Sequence, residues 1–188
     1  VVFSPNDENL LISNIKGHPV GFCNGVNVDP TIHVKNVDLT TGNIIFDGSL
    51  EVNGDVVPGM TIDVTGDVFI KGSIERSTIK AGNNITVGGG VFGVEKETPH
   101  TPPNGGDKSN EANSDTIEYE LFASGNIEAK FVSLTSIYAK QNVIVKEYIG
   151  NSYVKAGKAI LLGQNGGKGV LFGGFSEAAE KIVANQLG

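Results

Sequence analysis

A short phrase recurs along the chain: Gly followed by Asn or Asp, a branched apolar residue, any residue, and then another small or apolar one. It stands at Gly42-Asn43-Ile44-Ile45-Phe46, Gly66-Asp67-Val68-Phe69-Ile70 and Gly125-Asn126-Ile127-Glu128-Ala129, with looser copies opening at Gly54, Gly82, Gln141 and Gly157. Gly66 to Gly82, Gly125 to Gln141 and Gln141 to Gly157 are each 16 residues. A fixed period of this kind limits the fold sharply, because a unit this short buries its apolar face only by stacking on its neighbours. Within each unit the apolar residues alternate, as in Ile62, Val64, Val68, Ile70 and again in Ile79, Ala81, Ile85, Val87. Alternation in runs of three to five residues means short strands with one side turned inward. The reading is an all-β parallel β-helix with coils of about 16 residues. Gly42, Gly54, Gly66, Gly82, Gly125 and Gly157 are its corners, where Gly-Asx pairs supply positive φ. An antiparallel sandwich or barrel also has short strands and frequent turns, but hairpin loops vary in length whereas a solenoid keeps its coils nearly constant.

The residue balance agrees. Val and Ile total 38 against 10 Leu, which favours pleated strands over a helical bundle. The net charge of −7 and the absence of a basic run argue against a nucleic-acid backbone or an anionic membrane as partner. No stretch approaches the roughly 20 apolar residues of a membrane span, so no membrane insertion is expected. A single cysteine, Cys23, excludes an internal disulfide framework and fits a reducing, cytoplasmic setting. The chain begins at Val1 and not at Met, which fits a segment of a longer protein.

Composition divides the chain. Residues 1–40 lack the clean repeat and read as a lead-in that caps the first coil. Residues 41–175 carry the coils, interrupted by a polar, mobile insertion at 95–116. Residues 176–188 are either a terminal coil or, given Glu177-Ala178-Ala179-Glu180-Lys181 behind Ser176, a capping helix. Seven acids against two lysines in residues 95–120 give −5 of the total charge. Glu95, Glu97, Asp107, Glu111 and Asp115 are therefore candidates for docking a basic protein, beside the plainer reading of a solvated loop.

Chemistry finds little footing. Gly88-Gly89-Gly90-Val91-Phe92-Gly93 satisfies the dinucleotide-binding spacing, but no helical period follows to receive a pyrophosphate. Gly163 to Gly169 is one residue short of a phosphate loop and has Gly169 where Ser or Thr belongs. His18, His33 and His100 are isolated from one another and from Cys23, so no metal site is expected. Asp47, Asp55 and Asp67 could gather as catalytic carboxylates, yet Asp55 and Asp67 occupy the phrase position that Asn43 and Asn126 also fill, which points to Asx-turn chemistry. No cofactor is expected.

The order of phrases carries a resemblance. Gly17-His18-Pro19-Val20, Val26-Asn27-Val28, Thr41 to Gly48, Leu50 to Val56, Gly59-Met60, Gly66 to Gly72, Ala123 to Val132, Asn151 to Ala156 and Gly173-Gly174 together resemble the flagellar assembly protein A family. The resemblance implies a right-handed β-helix in a cytoplasmic bacterial protein, at the cell pole, acting in flagellar assembly as a scaffold or adaptor through protein contacts. It supplies no catalytic residues. A self-assembling, homo-oligomeric β-helix of the bactofilin or division-site-selection kind is the second reading. A third is an enzyme, either a β-helical polysaccharide-active one or an acyltransferase, whose six-residue period is missing.

Overall fold

The computed structural model of the chain describes residues 2–13, 17–23, 25–94 and 120–188. Two antiparallel hairpins come first, β1 (Val2–Ser4) with β2 (Asp7–Ile12) and β3 (His18–Phe22) with β4 (Gly25–Asp29). From Thr31 onward the strand pairings are parallel, coil on coil. The first coil holds β5 (Thr31–Val34) and β6 (Ile44–Phe46), the second β7 (Ser49–Val52) and β8 (Thr61–Val64), and the third β9 (Val68–Ile70), β10 (Ile74–Glu75) and β11 (Thr78–Ala81). The fourth has β12 (Ile85–Phe92) and β13 (Leu121–Ala123), the fifth β14 (Ile127–Ser133) and β15 (Ser136–Ala139), and the sixth β16 (Val143–Gly150) and β17 (Tyr153–Ala156). The seventh holds β18 (Ala159–Leu162), β19 (Val170–Phe172) and β20 (Phe175–Ala178), and β21 (Lys181–Val183) with β22 (Gln186–Leu187) opens another. The result is a β-solenoid of about seven turns.

Three faces run along it. The first is built from β5, β7, β9, the opening halves of β12, β14 and β16, then β18 and β21. The second runs through the bridges Val37 to Val56 and Val56 to Ile74, then the closing halves of β12, β14 and β16, then β19 and β22. The third is β6, β8, β11, β13, β15, β17 and β20. Register stacks like on like inside: Ile62, Ile79, Leu121, Ile137 and Val154 lie one above the next and are fully buried. Ala81, Ala123, Ala139 and Ala156 form a column of small buried residues where the third face turns into the first, continuing upward from Val64.

The coil is a little longer than 16 residues and not constant. Register partners on the first face are 18 apart from Leu50 to Val68, 17 from Val68 to Ile85, 16 from Ile127 to Val143 and 17 from Val143 to Ile160. The last step, Ile160 to Ile182, is 22, because β18 and β19 are joined by a wide turn containing the one-turn helix η1 (Gln164–Gly166). The parallel stack also starts at Thr31 and not at residue 41, since Ile32, Val34 and Val37 carry the inward alternation without the Gly-Asx phrase. Beyond residue 176 the backbone is strand, with no helix among the described residues there.

The corner glycines do a different job from the one expected. Of the six, only Gly42 has positive φ, at 73°. At Gly82 and Gly157 an added Cβ would instead run into the carbonyl groups of Thr65 and Lys140 in the coil below, and at Gly66 it would lie 2.7 Å from the Gly48 oxygen. Close approach of successive coils at the corner, and not backbone torsion, requires a residue without a side chain there.

Candidate interaction surface

Polar side chains at the corners bond from coil to coil. Between the third and first faces, Ser49 Oγ accepts the Asp67 N–H at 3.1 Å, Asp67 Oδ1 the Asn84 N–H at 3.0 Å, Asn84 Oδ1 the Asn126 N–H at 2.9 Å and Asn126 Oδ1 the Asn142 N–H at 3.1 Å. A second ladder joins Asn36, Asp55, Ser73 and Gly90 between the first and second faces. Asp55 and Asp67 thus hold backbone donors of the next coil, 17 or 18 residues on, and are not the local Asx turns expected from sequence. Asp38 does form such a turn, through Thr40 and Thr41. Asp47 accepts from the Thr65 hydroxyl at 2.8 Å. Each of the three candidate carboxylates thus accepts a hydrogen bond from the next coil. Burial pushes the Asp67 carboxyl up, but the backbone and side-chain N–H groups of Asn84, with help from Asn83, outweigh it and hold the group below its ordinary value.

A depressed carboxylate stabilises the fold above its unfolded pKa of about 3.9, and that stability is lost as pH falls through the folded value. Melting temperature is accordingly expected to drop below about pH 4. In Asp67→Asn, which keeps the acceptor oxygen, the melting temperature at pH 7 stays within a few degrees and the acid loss is shallower. Circular dichroism melts from pH 2 to pH 7 check this, and parallel profiles for the two proteins would contradict it.

The outward side of the second face is aromatic. Phe92, Phe131, Tyr148 and Phe172, from four successive coils, form one run with ring centroids 4.9, 5.2 and 5.9 Å apart. Backbone register makes this possible: Phe131 and Tyr148 are direct partners, while Phe92 and Phe172 lie one strand over and two residues along. Two glycines make room for it. A Cβ on Gly90 would occupy the Phe131 ring and one on Gly150 the Phe172 ring, so both backbones are roofed by aromatic side chains. Phe92 and Phe172 remain 39% and 37% exposed at the two ends.

Beside this stripe, at the edge shared with the first face, stand Lys130, Lys146 and Lys168, all exposed, with Glu147 between Lys146 and Tyr148. In β14 and β16 this edge is a bulge inside one long strand instead of a sharp corner. On its other side a groove of about 460 Å³ is lined by Thr86, Glu128, Lys130, Ile144, Lys146 and Gln164. The wide turn of the seventh coil supplies its wall.

The family model described as Flagellar Assembly Protein A beta solenoid domain (FapA) matches residues 30–188, which include every strand of the parallel stack. The chain belongs to the FapA family. No curated protein and no solved structure matches it. The family description ties this FapA domain to flagellar assembly, and its match opens at Pro30, next to the first stacked strand β5. No helix among the described residues of the FapA chain is long and apolar enough to cross a membrane.

The acidic candidates Glu95, Glu97, Asp107, Glu111 and Asp115, like His100 and the insertion expected at 95–116, lie outside the described residues. Among the described residues no group of three or more His, Cys, Asp or Glu side chains could hold a metal ion. His33 lies on the first face between Glu51 at 3.1 Å and Asp29 at 3.8 Å, and Cys23 is exposed after the second hairpin's first strand. The glycines at 88–90 sit within β12, where their lack of a side chain admits Lys71, Ser73 and Phe131. Sequence reasoning missed the aromatic stripe, whose members are scattered along the chain. The available signal was the aromatic residue at the same place in two coils, Phe131 after Lys130 and Tyr148 after Glu147.

Proposed function

We propose that this domain serves flagellar assembly as a rigid, non-enzymatic scaffold or adaptor that holds a protein partner against its second face. The aromatic stripe is the observation that carries the reading. Aromatic side chains are enriched at protein interfaces, where they offer large contact area at low cost in side-chain entropy. Here four of them share one side of a structure whose strands are locked by neighbours above and below. The lone cysteine supports a cytoplasmic setting for this action.

The test compares the wild-type chain with Phe92→Lys/Tyr148→Lys as bait in a lysate of a flagellated bacterium, with retained proteins identified by mass spectrometry. Flagellar or polar proteins are expected on the wild-type bait and at least about tenfold depleted on the variant, a loss of about 1.4 kcal/mol or more. Equal retention by both baits, with both folded by circular dichroism, rejects the stripe as the contact. Return of the bait alone would favour end-to-end self-association instead.

A further inference from the structure

We infer that the segment seated on the aromatic stripe is an amphipathic α-helix whose apolar face is flanked on one side by acidic residues. This inference rests on the stripe being the contact surface, and three features of that face carry it. The first is backbone saturation. β14 is bonded to β12 on one side and β16 on the other, and β16 in turn to β19, so the stripe offers no free row of N–H and C=O groups. A partner strand has nothing to pair with there, and the occupant must arrive with its own backbone satisfied, as a helix does.

The second feature is spacing. Phe131 and Tyr148 stack coil on coil with ring centroids 5.2 Å apart, close to the roughly 5.4 Å pitch of an α-helix, while Phe92 and Phe172 flank them two residues to the same side. A helix lying along the solenoid axis therefore sets side chains one turn apart against Phe131 and Tyr148, and its neighbouring apolar positions toward Phe92 and Phe172. The third feature is charge. In a chain of net charge −7, Lys130, Lys146 and Lys168 line one border of the stripe in consecutive coils, against Glu147 alone on that border and Glu128 in the adjoining groove. None of the three ammonium groups is engaged in an ion pair among the described residues. That border favours acidic side chains along one edge of the helix and disfavours basic ones.

Three synthetic 16-residue peptides test the inference by fluorescence anisotropy with the full chain at low salt. One is helical with Leu and Ile at i, i+3, i+4 and i+7 and Glu along one edge, the second has Lys in place of that Glu, and the third is a scramble of the first. The Glu-edged peptide is expected to bind the wild-type chain about tenfold or more tightly than the Lys-edged one, and to weaken several-fold between about 50 and 300 mM salt. In Lys130→Glu/Lys146→Glu, two exposed substitutions that leave the core untouched, the preference should vanish or invert. Equal binding of the scramble shows that helical phase is irrelevant and overturns the inference. Failure of the Glu-edged peptide to bind, or equal binding of both charge forms to wild type, overturns it as well. Failure here combined with loss of lysate partners from Phe92→Lys/Tyr148→Lys would leave the stripe as a contact for a partner of another shape, whereas failure of both removes the stripe from the interface.

Discussion

Ile137→Ala is expected to lose about 2–5 kcal/mol of stability, toward the upper end of that range. Ile137 is fully buried in β15, with Leu121 stacked on one side and Val154 on the other. Cavities cost least where surroundings relax into them. Here the flanking strands are pinned by backbone hydrogen bonds to further coils, so collapse is restricted. The effect should also change the form of unfolding. In a solenoid each coil contacts only its neighbours, so stability is close to a sum of coil and interface terms. A void in the fifth coil uncouples the coils below from those above. Urea denaturation followed by circular dichroism should show an earlier midpoint together with a broadened or two-step transition. A single transition of unchanged slope with a loss under about 1 kcal/mol would show that the core adapts in a way this packing does not allow.

Asn126→Ala should cost about 1–3 kcal/mol, the penalty for leaving a part-buried backbone donor without its acceptor. Asn126 Oδ1 takes both the Asn142 N–H and the Asn142 side-chain N–H, the latter at 2.9 Å, while its own side-chain N–H reaches Asn84 Oδ1 at 3.3 Å. Removing the amide breaks the ladder in the middle. Asn126→Asp supplies the control, because a carboxylate keeps the acceptor that the Asn142 N–H needs, as Asp67 does for Asn84. The Asp variant should therefore recover most of the loss at pH 7 in chemical denaturation. Equal destabilisation by Ala and Asp would mean that the side-chain donor, and not the acceptor, is what the corner requires.

The strands were legible because alternation and a near-constant period are local properties of the chain. Aligning the phrase copies on glycine makes the coil slightly too short. The structure aligns them on the polar residue that bonds upward, so Asn84 stacks on Asp67 and the additional Asn83 is absorbed at the corner. Gly157 likewise stacks on Lys140 and not on Gln141. The glycines stand out in the sequence, but their reason is packing more than torsion, and sequence does not show how closely another coil approaches. The aromatic surface was illegible for the same cause. Phe92 and Phe131 are 39 residues apart in the chain, and Tyr148 and Phe172 are separated by a coil that includes the wide turn. Only the register of β12, β14, β16 and β19 brings them side by side.

Parallel pairing from Thr31 onward has a mechanical consequence. The hydrogen bonds joining coil to coil point along the axis of the rod, so tension between its two ends loads the coil interfaces in series and peels one coil at a time at low force. Tension applied across the rod, between residues of one strand and those of the strand above, loads the bonds of an interface together in shear and meets far more resistance. A solenoid built this way transmits force well sideways and poorly lengthwise, and the point at which it is held decides whether it behaves as a strut or as a spring.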